Sequence, residues 1–303
     1  MIIWIASYPK SGNTWLRALI STYFYSKDGV FNDLLLREID QFPTSKYFKD
    51  YDFNKKIAAD TCRLWIKAQE EVNSKRKLKF FKTHNIFGKV NGHDFTNPQN
   101  SLGCIYVVRD PRNVITSLKN HYQINDDQAL KWITDKKNFI YNFHEFEKNG
   151  YSDFQFISSW STNYKSWTIQ KKIPIKFIKY ENLVKETYKV FVEIIEYIYH
   201  ICKSEEKIDK DKIKQTIQST SFENLKKYEE KNGFSEAVPA RDDRSKKISF
   251  FNLGPKNDWK KMIDDDLRKR IENEFKTEMD ELGYKESKFN KIIFKILKKM
   301  TIL

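Results

Sequence analysis

Short apolar runs, each followed by a polar loop and then by helical spacing, recur along the chain. The runs begin at Met1, Leu78, Leu102 and Ile173, and each predicts a buried strand. After the first run, helical spacing places apolar side chains at Trp15, Leu16, Leu19, Ile20 and Tyr23. Residues 57–74 and about 113–122 show the spacing of two further helices. This alternation predicts an α/β fold with a mostly parallel central sheet.

The loop after the first strand has the composition of an anion site. It reads Tyr8-Pro9-Lys10-Ser11-Gly12-Asn13-Thr14-Trp15. The helix that follows has unpaired N–H groups and a partial positive charge at its start. Gly12 permits close approach of the backbone, Lys10 adds a charge, and Ser11 and Thr14 add hydroxyls. The order of residues differs from a Walker A loop, in which Gly-Lys-Ser/Thr follows a glycine. The loop therefore predicts a site for a phosphate-like group.

This eight-residue segment resembles the phosphosulfate-binding loop of sulfotransferases that use 3′-phosphoadenosine 5′-phosphosulfate (PAPS). Asn13 stands where threonine is common in that family. The resemblance implies that the loop binds the cofactor through Lys10, Ser11, Gly12, Asn13, Thr14 and Trp15.

The second predicted strand ends in Lys82-Thr83-His84. A single histidine is more often structural than catalytic, but this one falls at the edge where parallel sheets bind ligands. The segment resembles the sulfotransferase element whose histidine is the catalytic base. A neutral imidazole, with an ordinary pKa near 6.5, suits proton removal from a hydroxyl. The resemblance implies that His84 is the base, that Lys10 neutralises the leaving group, and that Lys82 steadies the sulfuryl oxygens. The other histidines are predicted to be solvated or packed: His93, His121, His144 and His200.

Two interpretations apply to the third strand and the Arg109-Asp110-Pro111-Arg112 that follows it. As a Walker B strand, it would place Asp110 on Mg²⁺ and a nucleoside triphosphate. The whole segment through Ser117 also resembles the sulfotransferase element that binds the cofactor 3′-phosphate. In that case Arg109 and Ser117 carry the role, and the planar fork of arginine matches phosphate oxygens.

Three later segments extend the resemblance to the nucleoside. Tyr180 falls where the family places a tyrosine at the adenosine. Thr220 and Phe222 fall where the family has a threonine and a phenylalanine that contact the adenine. Gly254 belongs to a segment that resembles the family's Arg-Lys-Gly-x-x-Gly-Asp-Trp-Lys motif. Here Asn252-Leu253 replaces the Arg-Lys of the 3′-phosphate clamp, and Asn257 replaces the second glycine. The nearby cations that could substitute are Arg241, Arg244, Lys246, Lys247 and Lys256.

The charge and the cysteines bound the class of protein. The 303 residues include 55 Lys and Arg against 41 Asp and Glu, a net charge of +14. This charge favours nucleic acid, an acidic membrane or small phosphorylated and sulfated ligands, although an AT-rich genome would produce the same lysine content. No apolar run approaches the ~18 residues of a membrane span, and no leader is evident, so a cytoplasmic protein is expected. Cys62, Cys104 and Cys202 fit neither a disulfide framework nor zinc-ligand spacing.

The last sixteen residues differ from the rest. Residues 288–303 are basic and apolar at helical spacing. They predict an amphipathic tail that either docks on the protein's own surface or lies on an anionic membrane, which would make the protein peripheral. The predicted organisation is one domain over 1–287 followed by this tail.

The resemblance covers nearly the whole chain at five separate motifs. It implies a P-loop-like, three-layer fold with a central, mostly parallel sheet flanked by helices. It also implies a PAPS-dependent O-sulfotransferase that needs no metal and releases 3′-phosphoadenosine 5′-phosphate (PAP). The expected acceptor is a hydroxyl of a small molecule, sugar or lipid, with no nucleic-acid partner. Two alternatives stay open: a P-loop kinase that uses Mg-ATP, and a basic nucleic-acid-binding protein.

Overall fold

The computed structural model describes residues 1–285 except positions 235, 241, 242 and 244. The strands over these residues are β1 (Ile2–Ser7), β2 (Asp40–Gln41), β3 (Lys79–Thr83), β4 (Lys89–Val90), β5 (His93–Asp94), β6 (Ser101–Val108), β7 (Phe139–Ile140), β8 (Gln155–Phe156) and β9 (Ile175–Lys179). The α-helices are α1 (Asn13–Tyr25), α2 (Trp65–Ser74), α3 (Pro111–Tyr122), α4 (Asp126–Thr134), α5 (Phe146–Asn149), α6 (Trp160–Thr168), α7 (Tyr180–Lys185), α8 (Thr187–Cys202), α9 (Lys210–Ser219), α10 (Phe222–Asn232), α11 (Asp265–Glu274) and α12 (Lys276–Glu281).

Five parallel strands form the central sheet in the order β2-β3-β1-β6-β9. β1 is the middle strand, and its Trp4 is level with Phe81 of β3 on one side and Cys104 of β6 on the other. Every residue of β1 is buried. Burial on both faces explains why this strand is a continuous apolar run in the sequence. The predicted α/β fold with a parallel central sheet is confirmed.

Alternate residues of β1 enter two different hydrophobic clusters, because successive side chains of a strand point to opposite faces. Ile3 and Ile5 pack with apolar residues of α1 and α8 on one face. Trp4 and Ala6 join a cluster with α2, α6 and α11 on the other. The sheet is therefore the middle layer of three, as the predicted architecture requires.

Helix boundaries differ from the predicted ones at two places. The helix predicted over 57–74 is divided: Ala59 has a positive φ of 66°, Asp60–Leu64 is a 3-10 helix, and α2 begins only at Trp65. α3 begins at Pro111 rather than near residue 113. The carboxylate of Asp110 accepts from the backbone N–H of Arg112 at 2.9 Å, and proline is favoured in the first helical turn.

The three cysteines are free thiols, and Cys62 and Cys104 are buried. No helix within the described residues is long and apolar enough to cross a membrane. The tail predicted over residues 288–303 lies outside the described residues, so the division of the chain at residue 287 stays a prediction.

Candidate active site

A cavity of about 430 Å³ opens at the carboxyl-terminal edge of the sheet. Its walls are the loop after β1, the end of β3, the segment from the end of β6 into α3, and parts of α7, α10 and residues 250–257. Parallel strands end at the same edge, so residues distant in sequence meet there. The predicted site residues that line the cavity are Lys10, Gly12, Asn13, Thr14, Trp15, Lys82, His84, Arg109, Ser117, Tyr180, Phe222 and Gly254.

The loop between β1 and α1 leaves the first turn of the helix without a side-chain cap. Gly12 occupies the N-cap position with a φ of 97°, and because glycine has no side chain, the helix has no side-chain cap. The amide of Asn13 donates to the carbonyl oxygen of Ile5 at 3.0 Å and to the hydroxyl of Ser7 at 3.2 Å, which fastens the loop to β1. Ser11 is buried, and its Oγ has no hydrogen-bond partner among the described residues. Such a helix start favours an anion.

Gly12 is predicted to tolerate no side chain. A Cβ at this position would lie 2.4 Å from Cδ2 of Tyr180, on a backbone that L-residues rarely adopt. We expect Gly12→Ala to lose about 1–2 kcal/mol from the backbone conformation. A further loss is expected from displacement of the Tyr180 ring, together with weaker nucleotide binding. Thermal unfolding and calorimetric titration with PAP would measure both effects.

Gly92 provides the matched control for that substitution. It has a φ of 83°, and an added Cβ would meet nothing within 4 Å. Gly92→Ala therefore carries the backbone cost without the clash. Equal destabilisation of the two variants, with unchanged PAP affinity in Gly12→Ala, would contradict the role assigned to the Gly12–Tyr180 contact.

His84 follows β3 and is held to β1 through one ring nitrogen. Its Nδ1 lies 2.7 Å from the carbonyl oxygen of Ser7. A carbonyl only accepts hydrogen bonds, so Nδ1 carries the proton and Nε2 keeps its lone pair. The backbone is fixed as well, because the His84 N–H donates to Gln155 at 2.7 Å and its carbonyl accepts from Asn163 at 2.9 Å. Burial, with the nearby charge of Lys82, lowers the pKa of His84 to about 3. The ring is therefore neutral at physiological pH.

Two lysines, Lys10 and Lys82, line the cavity together with His84. The Nζ of Lys10 lies 4.3 Å from the centre of the Phe250 ring. Burial lowers the pKa of Lys10 to about 7, and the charges of Lys82 and Arg109 act in the same direction while Glu236 opposes it. Burial also lowers the pKa of Lys82, whose Nζ lies 3.5 Å from Oε1 of Glu236. The cavity is electropositive, and a bound anion would raise both pKa values.

Arg109 and Ser117 meet at a second position on the cavity wall. Nη1 of Arg109 donates to the carbonyl oxygen of Lys10 at 3.1 Å and to Oγ of Ser117 at 3.3 Å. Nδ2 of Asn257 donates to the same hydroxyl at 2.9 Å. The Nε of Arg109 is buried and has no partner among the described residues. A donor cluster with spare capacity therefore faces the cavity, and Asn257 belongs to it.

Of the five cations that could replace the Arg-Lys pair, the three that the structure describes do not line the cavity. Lys246, Lys247 and Lys256 are exposed, and Lys246 lies 3.2 Å from Asp243. Arg241 and Arg244 lie outside the described residues. Asn252 and Leu253 themselves line the cavity. Within the described residues, the amide of Asn257 is thus the group that joins Arg109 and Ser117 at this position.

Aromatic rings form the third side of the cavity. The guanidinium of Arg109 lies 4.3 Å from the centre of the Tyr180 ring. Gly254 has a φ of 51°, and a Cβ there would lie 2.2 Å from the ring of Phe222, so backbone packs directly on that ring. Thr220 is fully buried and does not line the cavity: its hydroxyl donates to the carbonyl of Thr216 at 2.7 Å. Its own carbonyl accepts from the indole of Trp15 at 3.0 Å.

Asp110, the residue that a Walker B interpretation assigns to Mg²⁺, is committed elsewhere. Its carboxylate caps α3 and forms two-pronged contacts with Arg112, with Nη2 2.7 Å from Oδ2 and Nε 3.0 Å from Oδ1. The side chain does not line the cavity. Among the described residues, no group of three His, Cys, Asp or Glu side chains is placed to hold a metal ion.

Three residues of the site were not predicted from the sequence, and two of them, His121 and Glu236, line the cavity. His121 is 9% exposed, packs against Tyr122 and Phe250, and has an Nδ1 without a partner among the described residues. It lies one helical turn after Ser117, so spacing on α3 was an available signal. Arg17 lies three residues after Thr14 on α1, which is a similar signal. Glu236 contacts both Thr14 and Arg17, and no local sequence pattern predicts these two contacts.

The fold, the uncapped loop and the strand-end histidine together match a known class. The sulfotransferase domain model matches residues 2–283. The chain therefore belongs to the sulfotransferase domain family, and the predicted family membership is confirmed.

Individual sulfotransferases resemble this chain at low sequence identity. Sulfotransferase 1E1 of Mus musculus is 25% identical over 284 residues, which cover 93% of this chain and 84% of that protein. The luciferin sulfotransferase of Photinus pyralis is 25% identical over 232 residues, or 73% of this chain and 56% of that protein. Among solved structures, retinol dehydratase in a complex with retinol and PAP has a TM-score of 0.55 at 16% identity, covering 92% of this chain and 81% of that one. The structural likeness shows a shared fold.

Proposed function

We propose that this sulfotransferase moves a sulfuryl group from PAPS to a hydroxyl of a small-molecule acceptor. The observation that carries the proposal is the position of His84. Its Nδ1 is bound to the carbonyl of Ser7, and its neutral imidazole lines a cavity that also contains an uncapped helix start. A proton acceptor beside an anion site is the arrangement that sulfuryl transfer to a hydroxyl requires.

The residues present fit PAPS at both of its anionic ends. The phosphosulfate end would meet Lys10, Thr14 and the N–H groups of residues 11–15, where Ser11 has spare hydrogen-bonding capacity. The 3′-phosphate would meet Arg109 and Ser117, with Asn257 as a third donor, and the unpartnered Nε of Arg109 is available there. Tyr180 and Phe222 would contact the adenosine through their rings.

PAPS, when bound, supplies the sulfuryl group, and its 5′-phosphate oxygen is the leaving group. His84 takes the acceptor's hydroxyl proton on Nε2, while the Ser7 carbonyl keeps the ring oriented through Nδ1–H. Lys10 and the loop N–H groups stabilise negative charge that grows at the phosphate, as preorganised donors do in an oxyanion hole. Lys82 holds oxygens of the group in transfer. These roles assign a separate task to each strand-end residue.

The lining residues that the donor does not use in this proposal include Gln41, Asn120, His121, Tyr122 and Ile140, and these would contact the acceptor. These side chains are mixed in polarity, so they suit a small molecule that has an apolar ring or chain and also a polar group. The relatives' names include luciferin as an acceptor, and the structural neighbour was solved with retinol. A small-molecule acceptor is therefore our proposal for this chain, in a protein that works in the cytoplasm. Any contact of the tail with a membrane stays a prediction.

Calorimetric titration of the full chain tests the donor. We expect PAP to bind in a one-to-one complex without added metal, and ATP with Mg²⁺ to bind much more weakly. Incubation with PAPS and a panel of phenols, alcohols, sugars and hydroxylated lipids should then release PAP with at least one acceptor class. Binding of ATP with Mg²⁺ in place of PAP would refute the proposal in favour of the kinase.

A further inference from the structure

A carboxylate from a distant part of the chain lies inside the predicted phosphosulfate pocket. Glu236 accepts a hydrogen bond from Oγ1 of Thr14 at 2.7 Å and forms an ion pair with Nη1 of Arg17. Its Oε1 lies 3.5 Å from Nζ of Lys82. Glu236 also lines the cavity, and its side chain is only 24% exposed. One hydroxyl and two cations therefore converge on this single carboxylate.

The groups that bind Glu236 are rigidly held by the fold. Arg17 is buried on α1, and its Nη2 donates to the carbonyls of Leu36 at 3.1 Å and Ile39 at 3.0 Å. Nη1 is thereby directed to the carboxylate. Thr14 lies in the uncapped first turn of α1, and Lys82 lies near the end of β3. Such a site is formed before any ligand arrives, and it favours an anion.

The carboxylate keeps its negative charge in this position. Burial acts to raise the pKa of Glu236, but the charges of Lys82 and Arg17 and the hydrogen bond from Thr14 outweigh it. The pKa is held well below its usual range. Glu236 therefore presents the same chemistry as a phosphate or sulfate oxygen: an ionised acceptor that takes hydrogen bonds from arginine, lysine and a hydroxyl.

We propose that Glu236 is a built-in competitor of the donor, occupying the anion position of Thr14, Arg17 and Lys82 until the phosphosulfate end displaces it. This inference rests on the proposed function, because it identifies that anion position with the donor's site. In that exchange the donor would take over the contacts of Thr14 and Lys82, which line the cavity, while the buried Arg17 would lose its carboxylate partner.

Two residues close to Glu236 in the sequence contact residues 248–251. Phe234 packs on Phe250 and Phe251, with ring centres 5.0 and 4.9 Å apart. The backbone of Ile248 donates to the carbonyl of Val238 at 2.8 Å. These contacts help to hold Glu236 at the anion position.

The test compares two nucleotides on two variants by calorimetric titration. Glu236→Gln removes the competing charge, and we expect it to bind PAP about tenfold more tightly than the unmodified protein, as close charge pairs allow. Adenosine 3′-phosphate, which lacks the 5′-phosphate, should bind both proteins equally. Glu230 is exposed on α10, so Glu230→Gln changes the net charge equally at a distance and should leave both affinities unchanged.

Two measurements separate failure of this inference from failure of the proposed function. If the unmodified protein binds PAP and Glu236→Gln binds it equally or more weakly, Glu236 is not a competitor and the inference is overturned. If the unmodified protein does not bind PAP but Glu236→Gln does, the competition is confirmed. If neither binds PAP, both proposals fail. Glu236→Asp serves as a second variant if Glu236→Gln folds poorly. It keeps the charge but shortens its reach, so we expect it to bind PAP more tightly than the unmodified protein, by less than tenfold.

Discussion

His84→Ala is expected to lower kcat by about 100- to 10,000-fold, the range over which a positioned general base contributes. The structural reason is that Nδ1 is occupied by the carbonyl of Ser7, so Nε2 alone is available to take the acceptor's proton. The pKa of about 3 applies to the protein without donor. A bound anion counters the charge of Lys82 and raises that pKa, which improves the base when it is needed. Steady-state formation of PAP from PAPS measures the effect.

His200 supplies the control for that experiment. It is exposed on the last turn of α8, away from the cavity, and His200→Ala should turn over normally. His84→Ala should still bind PAP, because the histidine is not among the residues proposed to hold either phosphate. A His84→Ala protein that binds PAP and retains full turnover would remove His84 as the base.

Lys10→Met is expected to lower kcat by about 100- to 1,000-fold, the cost of removing one preorganised donor from a charge-stabilising site. Methionine keeps much of the length and the contact with Phe250 while it removes the charge. Because Lys10 faces the leaving phosphate in the proposed mechanism, the loss should fall on kcat more than on the KM for the acceptor. Lys227→Met, at an exposed position on α10, should be silent.

A pH signature distinguishes loss of the Lys10 charge from general damage to the loop. With a pKa of about 7, Lys10 is mostly neutral at pH 8 in the donor-free protein. A bound anion raises that pKa, so PAP binding should take up close to one proton at pH 8 and less at pH 6, and its affinity should fall as pH rises above 7. Calorimetry in buffers with different ionisation enthalpies measures this uptake. Undiminished uptake at pH 8 in Lys10→Met would contradict the assignment.

Residues next to the central strands could be predicted because their environment is local. His84 and Arg109 come directly after β3 and β6, and Lys10 lies in the loop after β1. Parallel strands bring these ends to one edge of the sheet. The positions of the apolar runs therefore indicated which edge of the sheet carries the site, and the residue types there indicated that it binds an anion. The structure gathers these three around one cavity for that reason.

Contacts between distant segments could not be predicted in this way. Glu236 and Arg17 are 219 positions apart, and Asn257 and Ser117 are 140 apart. No periodicity connects positions so far apart, since their meeting depends on the tertiary fold. Thr220 illustrates a different limit: the resemblance implies a contact with adenine, but Thr220 does not line the cavity, and its carbonyl accepts from the indole of Trp15.

The central position of β1 has a consequence for how the protein is made. Both partners of this strand come later in the chain, at Lys79–Thr83 and Ser101–Val108. At about 5–20 residues per second, synthesis of the ~100 residues that separate Ser7 from the end of β6 takes roughly 5–20 s. Over that interval the nascent chain carries an apolar strand with two unpaired edges. We therefore expect the yield of this enzyme to be sensitive to aggregation of the nascent chain before β3 and β6 have been synthesised.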